Sequence, residues 1–245
     1  MFSYNEIQSL NELELLVYNY VMANSDKIEN LTIRELSDEV HVSTTTILRF
    51  CSKINCAGYS EFRFKLKQYL LEKNISYSDE DATQMIDFFK KVNNSEFEQL
   101  IAKASEIIVH KEKVFFAGIG TSGTLGKYGA RFFSNIGKSS QYLDDPFYPT
   151  SSDDHSNSVL IVLSVSGEQN SIIRQINGYK KGKAAIISIT NTENCTIARI
   201  SDLSISYYMP SIILPEKYNI TTQVPVIYII EMIARKVQKL LADKN

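Results

Sequence analysis

Four short apolar runs constrain this chain most: VFFAG (114–118), VLIVLSV (159–165), AAIISIT (184–190) and LSISYY (203–208). Stretches with helical spacing separate them at about 123–137, 169–181 and 193–200. Another precedes the first run near 84–111, and a long one follows the last at 223–242. Strands of this length that alternate with helices make βαβ units. They predict a parallel sheet covered by helices on both faces.

The chain ahead of these runs has a different grammar. Residues 1–73 contain a single glycine, Gly58, and no proline. Apolar residues recur there at helical spacing: Leu10, Leu13, Leu16, Val17, Tyr20 and Val21, then Leu31, Ile33, Leu36 and Val40, then Ile47, Phe50, Cys51 and Ile54. The polar, acidic stretch after Lys73 lacks that periodicity and is expected to be a linker. The expected organisation is an all-α domain over 1–73, a linker over 74–83 and an α/β domain over 84–245.

Residues 31–54 are the informative part of the helical half. Thr32 is a good N-cap, with Glu35 three residues on as its capping-box partner. The helix it opens carries Leu36 and Val40 inward. His41-Val42 then makes a short turn, and Ser43 can cap a second helix that begins Thr44-Thr45-Thr46. Two short helices joined in this way form a helix-turn-helix. Short polar side chains suit the end of a recognition helix that approaches base edges, and a threonine methyl can touch a thymine methyl. Arg49, one turn on, can reach a base or a phosphate. The charge follows the same plan. Residues 1–40 hold two basic and eight acidic side chains, whereas 49–73 hold six basic and two acidic ones. Positive charge thus gathers on and after the second helix, where phosphates would lie. The expected DNA contacts are Ser43, Thr44, Thr45, Thr46, Arg49, Lys53, Arg63 and Lys65.

The segment 31–66 resembles the N-terminal domain of RpiR-type regulators. The motifs that carry the resemblance are Val42-Ser43, Thr46-Ile47-Leu48-Arg49-Phe50 and Gly58-Tyr59-Ser60-Glu61-Phe62-Arg63. One departure is Asn55-Cys56-Ala57, where the family has a Leu-Gly-type pair. The resemblance implies an operator-binding transcription regulator.

In the second half, VFFAG ends in GIGTSG (118–123) and SVSGEQ (164–169) follows the second apolar run. Glycines at a strand-to-helix turn let backbone approach a ligand, and a helix N-terminus favours an anion. Ser164 and Ser166 alternate with Val165, which predicts that both hydroxyls face one side of the turn. Hydroxyls plus helix N-termini make a phosphate cradle without a basic residue. Gly118-x-Gly120-x-x-Gly123 also fits a dinucleotide fingerprint, with Asp144-Asp145 after SSQYL as its acidic residue. A nucleotide fold has no need of the second cradle. Residues 112–208 resemble the sugar isomerase (SIS) domain, whose corresponding loops hold the phosphate of a sugar phosphate. By that resemblance Thr121, Ser122, Ser164, Ser166 and Gln169 are the ligand-binding residues, Gln169 standing where the family has Thr or Ser.

Other classes fit less well. The net charge of −2 excludes bulk attraction to nucleic acid and requires a local patch. No apolar run reaches the roughly 20 residues that span a bilayer, and the acidic start is unlike a signal peptide. These features predict a cytoplasmic protein with no membrane partner. Cys51 and Cys56 with His41 do not match zinc spacing, so neither metal nor cofactor is expected. An aldose–ketose isomerase would need a base and a second acid. Glu168, His155, Glu216 and Glu231 are candidates, but no motif fixes a role for any of them, and His155 reads as a surface residue. No catalytic residue is expected. A third reading makes the second half a dimerisation module only, and the paired serines argue against it. The expected protein is a homodimer or homotetramer that binds operator DNA and a sugar phosphate effector, with VPVIYIIEMIARKV (224–237) as a candidate contact surface.

Overall fold

The helical half starts its helices at side-chain caps. The structure, a computed structural model, describes residues 2–243 apart from 29, 74–77, 148–153 and 215–217. In α1 (Tyr4–Ser9) and α2 (Glu12–Ala23), Ser3 and Asn11 accept the N–H three residues on, and Glu6 and Glu14 reach back to the cap N–H. After the single turn α3 (Ser25–Ile28), α4 (Ile33–Val40) opens on the expected box, the Thr32 N–H donating to Glu35 at 2.7 Å. Ser43 caps α5 (Thr44–Lys53), as its sequence position indicates, by accepting the Thr46 N–H at 3.1 Å. Each such cap contributes about 0.5–2 kcal/mol. The turn between α4 and α5 runs through His41 at φ 55, and the chain leaves α5 through Asn55 at φ 56. Asn is among the few non-glycine residues that adopt this left-handed conformation.

α6 (Tyr59–Lys73) and α7 (Ser78–Val92) follow. Of the expected linker, 74–77 lie outside the described residues and 78–83 belong to α7. Acidic residues favour the first turn of a helix, so this stretch opens a helix rather than interrupting one. The helix expected near 84–111 is two, α7 and α8 (Ser95–Val109), because Asn94 caps the second by accepting the Phe97 N–H at 2.8 Å.

The chain divides into two units: Met1–Lys90 with Tyr208–Thr222, and Lys91–Tyr207 with Gln223–Asn245. The core of the first gathers Leu10, Leu15, Val17, Val21, Leu36, Ile47, Phe50, Cys51, Phe62 and Leu66. Phe50 meets Phe62 edge-on at 5.5 Å between ring centroids. Tyr208–Thr222 is an excursion of the second half into this core, which the expected boundaries do not contain. Tyr208 is buried at φ 48 with its ring edge-on to Tyr4, and Ile213 packs on the same cluster. The Ser211 N–H donates to the fully buried Tyr18 hydroxyl at 2.6 Å.

The second unit is built on a parallel sheet of β1 (Lys113–Ala117), β2 (Ser139–Tyr142), β3 (Ser158–Ser164), β4 (Ala185–Thr190) and β5 (Leu203–Ser206). Its order is β2-β1-β3-β4-β5. The four apolar runs are β1, β3, β4 and β5, and the fully buried β3 lies at the centre. The helices between them are α9 (Thr121–Asn135), α10 (Asn170–Lys181) and α11 (Thr196–Ile200), followed by α12 (Val224–Ala242). Leu160, Val162 and Ile186 pack with Ile172, Ile176 and Tyr179 of α10 and Ile197 of α11 on one face. Phe116 points to the other face, against Phe133 of α9. There α12 packs on α9 and α8. Much of the expected contact surface therefore serves the unit itself: Val226, Ile229, Ile230, Ile233, Ala234 and Val237 are buried, while Val224 stays exposed.

Candidate functional site

The strand order reverses direction at β1. From β1 the chain moves outward to β2, then returns to the other side of β1 for β3. Ligands of open parallel sheets bind at the carboxyl ends of strands that flank such a reversal. The loops at those two ends are Gly118–Gly120 and Val165–Gln169, and they lead into α9 and α10.

In the first loop Gly120 is the N-cap of α9 at φ 60 and ψ −128, with no side-chain cap. That region suits glycine alone. A Cβ on Gly118 would lie 2.9 Å from the Ser122 backbone, so the first turn of α9 folds tightly over the strand end. Thr121 is exposed. Ser122 is buried, and its hydroxyl has no hydrogen-bond partner among the described residues. Gly123 serves packing: a Cβ there would come within 2.5 Å of the Tyr142 hydroxyl, which donates to the Gly118 carbonyl at 2.9 Å. Burial raises the Tyr142 phenol above its ordinary range, which keeps it a donor. The third glycine of the dinucleotide-like pattern thus seats a tyrosine, and Asp144 pairs with Lys127 at 2.9 Å.

In the second loop Ser164 is buried and accepts the Gly167 N–H at 3.1 Å. Ser166 is exposed and accepts the Glu168 N–H at 3.3 Å. The expected equivalence of the two hydroxyls is therefore replaced by two environments. A hydroxyl that accepts from an amide still has its proton to donate. Gln169 is the N-cap of α10 and supplies no side-chain cap, so the first-turn amides of α10 stay open. The loop is anchored from behind. Gly167 sits at φ 68 with room for no side chain, since a Cβ would meet the Cys195 sulfur at 2.1 Å. Burial raises the Cys195 thiol above its ordinary range, so it remains a neutral packing group. Glu168 accepts the Thr196 N–H at 2.8 Å and caps α11, while the Gly167 carbonyl accepts the Ile197 N–H at 3.0 Å. Neither loop carries a lysine or arginine. The result is two uncapped helix N-termini at adjacent strand ends with hydroxyls between them, an arrangement that suits an anion.

The helical unit presents the second candidate surface. On α5, Thr46, Ile47, Phe50 and Cys51 are buried, whereas Thr45, Leu48, Arg49 and Ser52 are exposed. Arg49 makes no hydrogen bond or ion pair among the described residues.

The family model of the rpiR-family helix-turn-helix domain matches residues 4–73, and that of the SIS domain matches residues 107–230. The chain belongs to the RpiR family. It is 27% identical to the regulator GlvR of Bacillus subtilis, over 96% of this chain and 94% of that one. It is 21% identical to HexR of Escherichia coli, over 84% and 76%. NanR of Vibrio vulnificus, solved in complex with ManNAc-6P, shares the fold at a TM-score of 0.59 and 19% identity, over 97% of this chain and 90% of that one. Like GlvR and HexR, the RpiR-type chain is a transcription regulator and not an enzyme.

Within this RpiR architecture the expected DNA contacts separate. Ser43, Thr45 and Arg49 are exposed and Thr44 is half-buried. Thr46 is buried with its hydroxyl 2.9 Å from that of Ser43, so it belongs to the cap. Lys53 pairs with the buried Glu14 at 2.6 Å. Arg63 donates to the Leu31 carbonyl at 3.0 Å, and Lys65 pairs with Glu61 at 2.7 Å. Of the groups considered for acid–base chemistry, Glu168 is held by the Thr196 N–H. His155 is buried rather than on the surface, stacked on Tyr179 at 4.2 Å. Glu231 accepts from Tyr128 at 2.7 Å and pairs with Arg235. Glu216 lies outside the described residues. Cys51 and Cys56 pack in the helical core. No helix among the described residues is long and apolar enough to cross a membrane.

Proposed function

We propose that this regulator binds a phosphorylated sugar between the GTSG and SVSGEQ loops, and that the ligand controls operator binding by α5. The reading places the protein in the cytoplasm with its operator. It makes the protein a homodimer or homotetramer, since one helix-turn-helix reads too few base pairs for specificity and paired ones match a palindrome. Ser122, Ser164 and Ser166 are the hydroxyl ligands, Thr121 and Gln169 stand at the rim, and Thr44, Thr45 and Arg49 approach the bases.

The observation that carries the ligand assignment is the pair of uncapped helix N-termini, α9 and α10, at adjacent strand ends. A dianion held there relies on amides and hydroxyls alone, so its phosphate must dominate affinity. The sugar phosphate bound to the related NanR supports the same class. Calorimetry against hexose, hexosamine and disaccharide phosphates tests the reading. The expected result is tight binding of one phosphorylated sugar and far weaker binding of its unphosphorylated form. Ser166→Ala should lose about 1.5–3 kcal/mol, roughly tenfold to a hundredfold in affinity. Equal binding of phosphorylated and free sugar removes the assignment.

A further inference from the structure

One residue on the exposed face of α5 is a large apolar one. Thr45, Leu48, Arg49 and Ser52 recur at i, i+3, i+4 and i+7, the spacing of a single helix face. Leu48 stands in the middle of that stripe, 47% exposed and outside the helical core cluster. Folding does not require a leucine there, because lysine, arginine or glutamine would sustain the helix as well. Its neighbour Arg49 is a cation with no partner among the described residues. A protein surface covering Leu48 would also have to cover that charge, whereas a DNA groove takes both.

Resting on the DNA-reading assignment above, we propose that Leu48 determines base specificity by packing on the C5-methyl of a thymine in the major groove. Thymine alone among the four bases presents an apolar group there, so an apolar side chain distinguishes it where a hydrogen-bonding one cannot use the methyl. Arg49 is suited to the acceptors of a guanine or to a phosphate, and Thr45 to a neighbouring edge. The helix rise of about 1.5 Å per residue sets Leu48 about 4.5 Å along the axis from Thr45, close to one base step of about 3.4 Å. Thr45 and Leu48 therefore address successive base pairs, with Arg49 beside them.

The experiment uses the full-length protein and a duplex it selects from a random library. Each thymine of that duplex is then replaced by deoxyuridine, which removes the methyl and nothing else. The expected result is one thymine per half-site whose methyl gives the parent about fourfold in affinity, the effect of about one buried methyl group (~0.8 kcal/mol). Leu48→Ala should bind the thymine and deoxyuridine duplexes alike, with the parent's melting temperature and sedimentation. An unchanged methyl dependence in Leu48→Ala overturns the inference. So does an altered oligomeric state with base preference intact, which would make Leu48 a protein contact. Failure of the parent to select any sequence overturns the DNA-reading assignment itself, and this inference with it. Selection followed by a methyl-independent parent overturns this inference alone.

Discussion

Arg49 and Lys53 lie four residues apart on α5, and their carriers of charge have different fates. The Lys53 ammonium reaches back to α2, where the Glu14 carboxylate is only 2% exposed. Arg49 faces solvent with no partner among the described residues. Lys53→Ala removes the counter-ion of a buried carboxylate, which then keeps only the Asn11 N–H among the described residues. Breaking a fully buried pair costs about 3–5 kcal/mol, and the partial exposure of Lys53 reduces this to about 1–3 kcal/mol by solvent screening. Urea denaturation should show that loss for Lys53→Ala and almost none for Arg49→Ala. Binding to the selected duplex should show the reverse emphasis: Arg49→Ala loses about tenfold or more, as expected for a bidentate base contact worth about 1–3 kcal/mol. A stable Lys53→Ala that loses only DNA affinity would return Lys53 to the DNA surface. The concentration of positive charge after residue 48 was legible in the sequence. The partners of Lys53 and Arg63 were not, because Glu14 and Leu31 lie far away along the chain and meet them only after folding, whereas the pairing of Lys65 with Glu61 is an ordinary i,i+4 contact of α6.

At the scale of the element, α9 shows what a pattern can and cannot say. Its glycines 123, 126 and 129 line the side that meets Tyr142 and Phe116. A Cβ on Gly129 would lie 2.5 Å from the Phe116 ring, which is fully buried and braced edge-on by Phe133. Gly129→Ala gains about 1 kcal/mol of helix propensity but drives a methyl group against the Phe116 ring, overpacking the core at about 1–3 kcal/mol. We expect a net loss in urea denaturation and partial recovery when Phe116→Leu is added. A stabilised Gly129→Ala would show that the ring moves aside freely. The apolar runs revealed β1, β3, β4 and β5 because strands buried on both faces are continuous in apolar residues. β2 has the burial of an edge strand and its sequence, SSQY, is mostly polar, so it carries no such signal. The split between α7 and α8 depended on a single capping side chain, Asn94, inside otherwise continuous periodicity. The proposed cradle was legible as two glycine- and serine-containing loops. Its anchoring by Glu168 and Cys195 was not, since both contacts join loops that are separate in the sequence.

For the whole molecule, the two units are not consecutive stretches of chain. After β5 the polypeptide enters the core of the helical unit as Tyr208–Thr222, and it then returns to form α12. Tyr208 and Ile213 lack any periodic pattern that would assign them to that core, so the excursion was invisible before folding. It makes the regulator a chain in which the helical unit and the α/β unit share covalent connections at more than one point. A ligand regulates only if it binds the DNA-competent and DNA-incompetent states with different affinity. The most direct test is the affinity of the full-length protein for its selected duplex, measured by fluorescence anisotropy with and without a saturating phosphorylated sugar. The parent should change its DNA affinity by at least about fivefold, the lower end of ordinary allosteric coupling. Ser166→Ala should bind DNA like the unliganded parent and lose the response. DNA affinity that ignores every phosphorylated sugar tested, or that responds equally to the free sugar, would contradict the account.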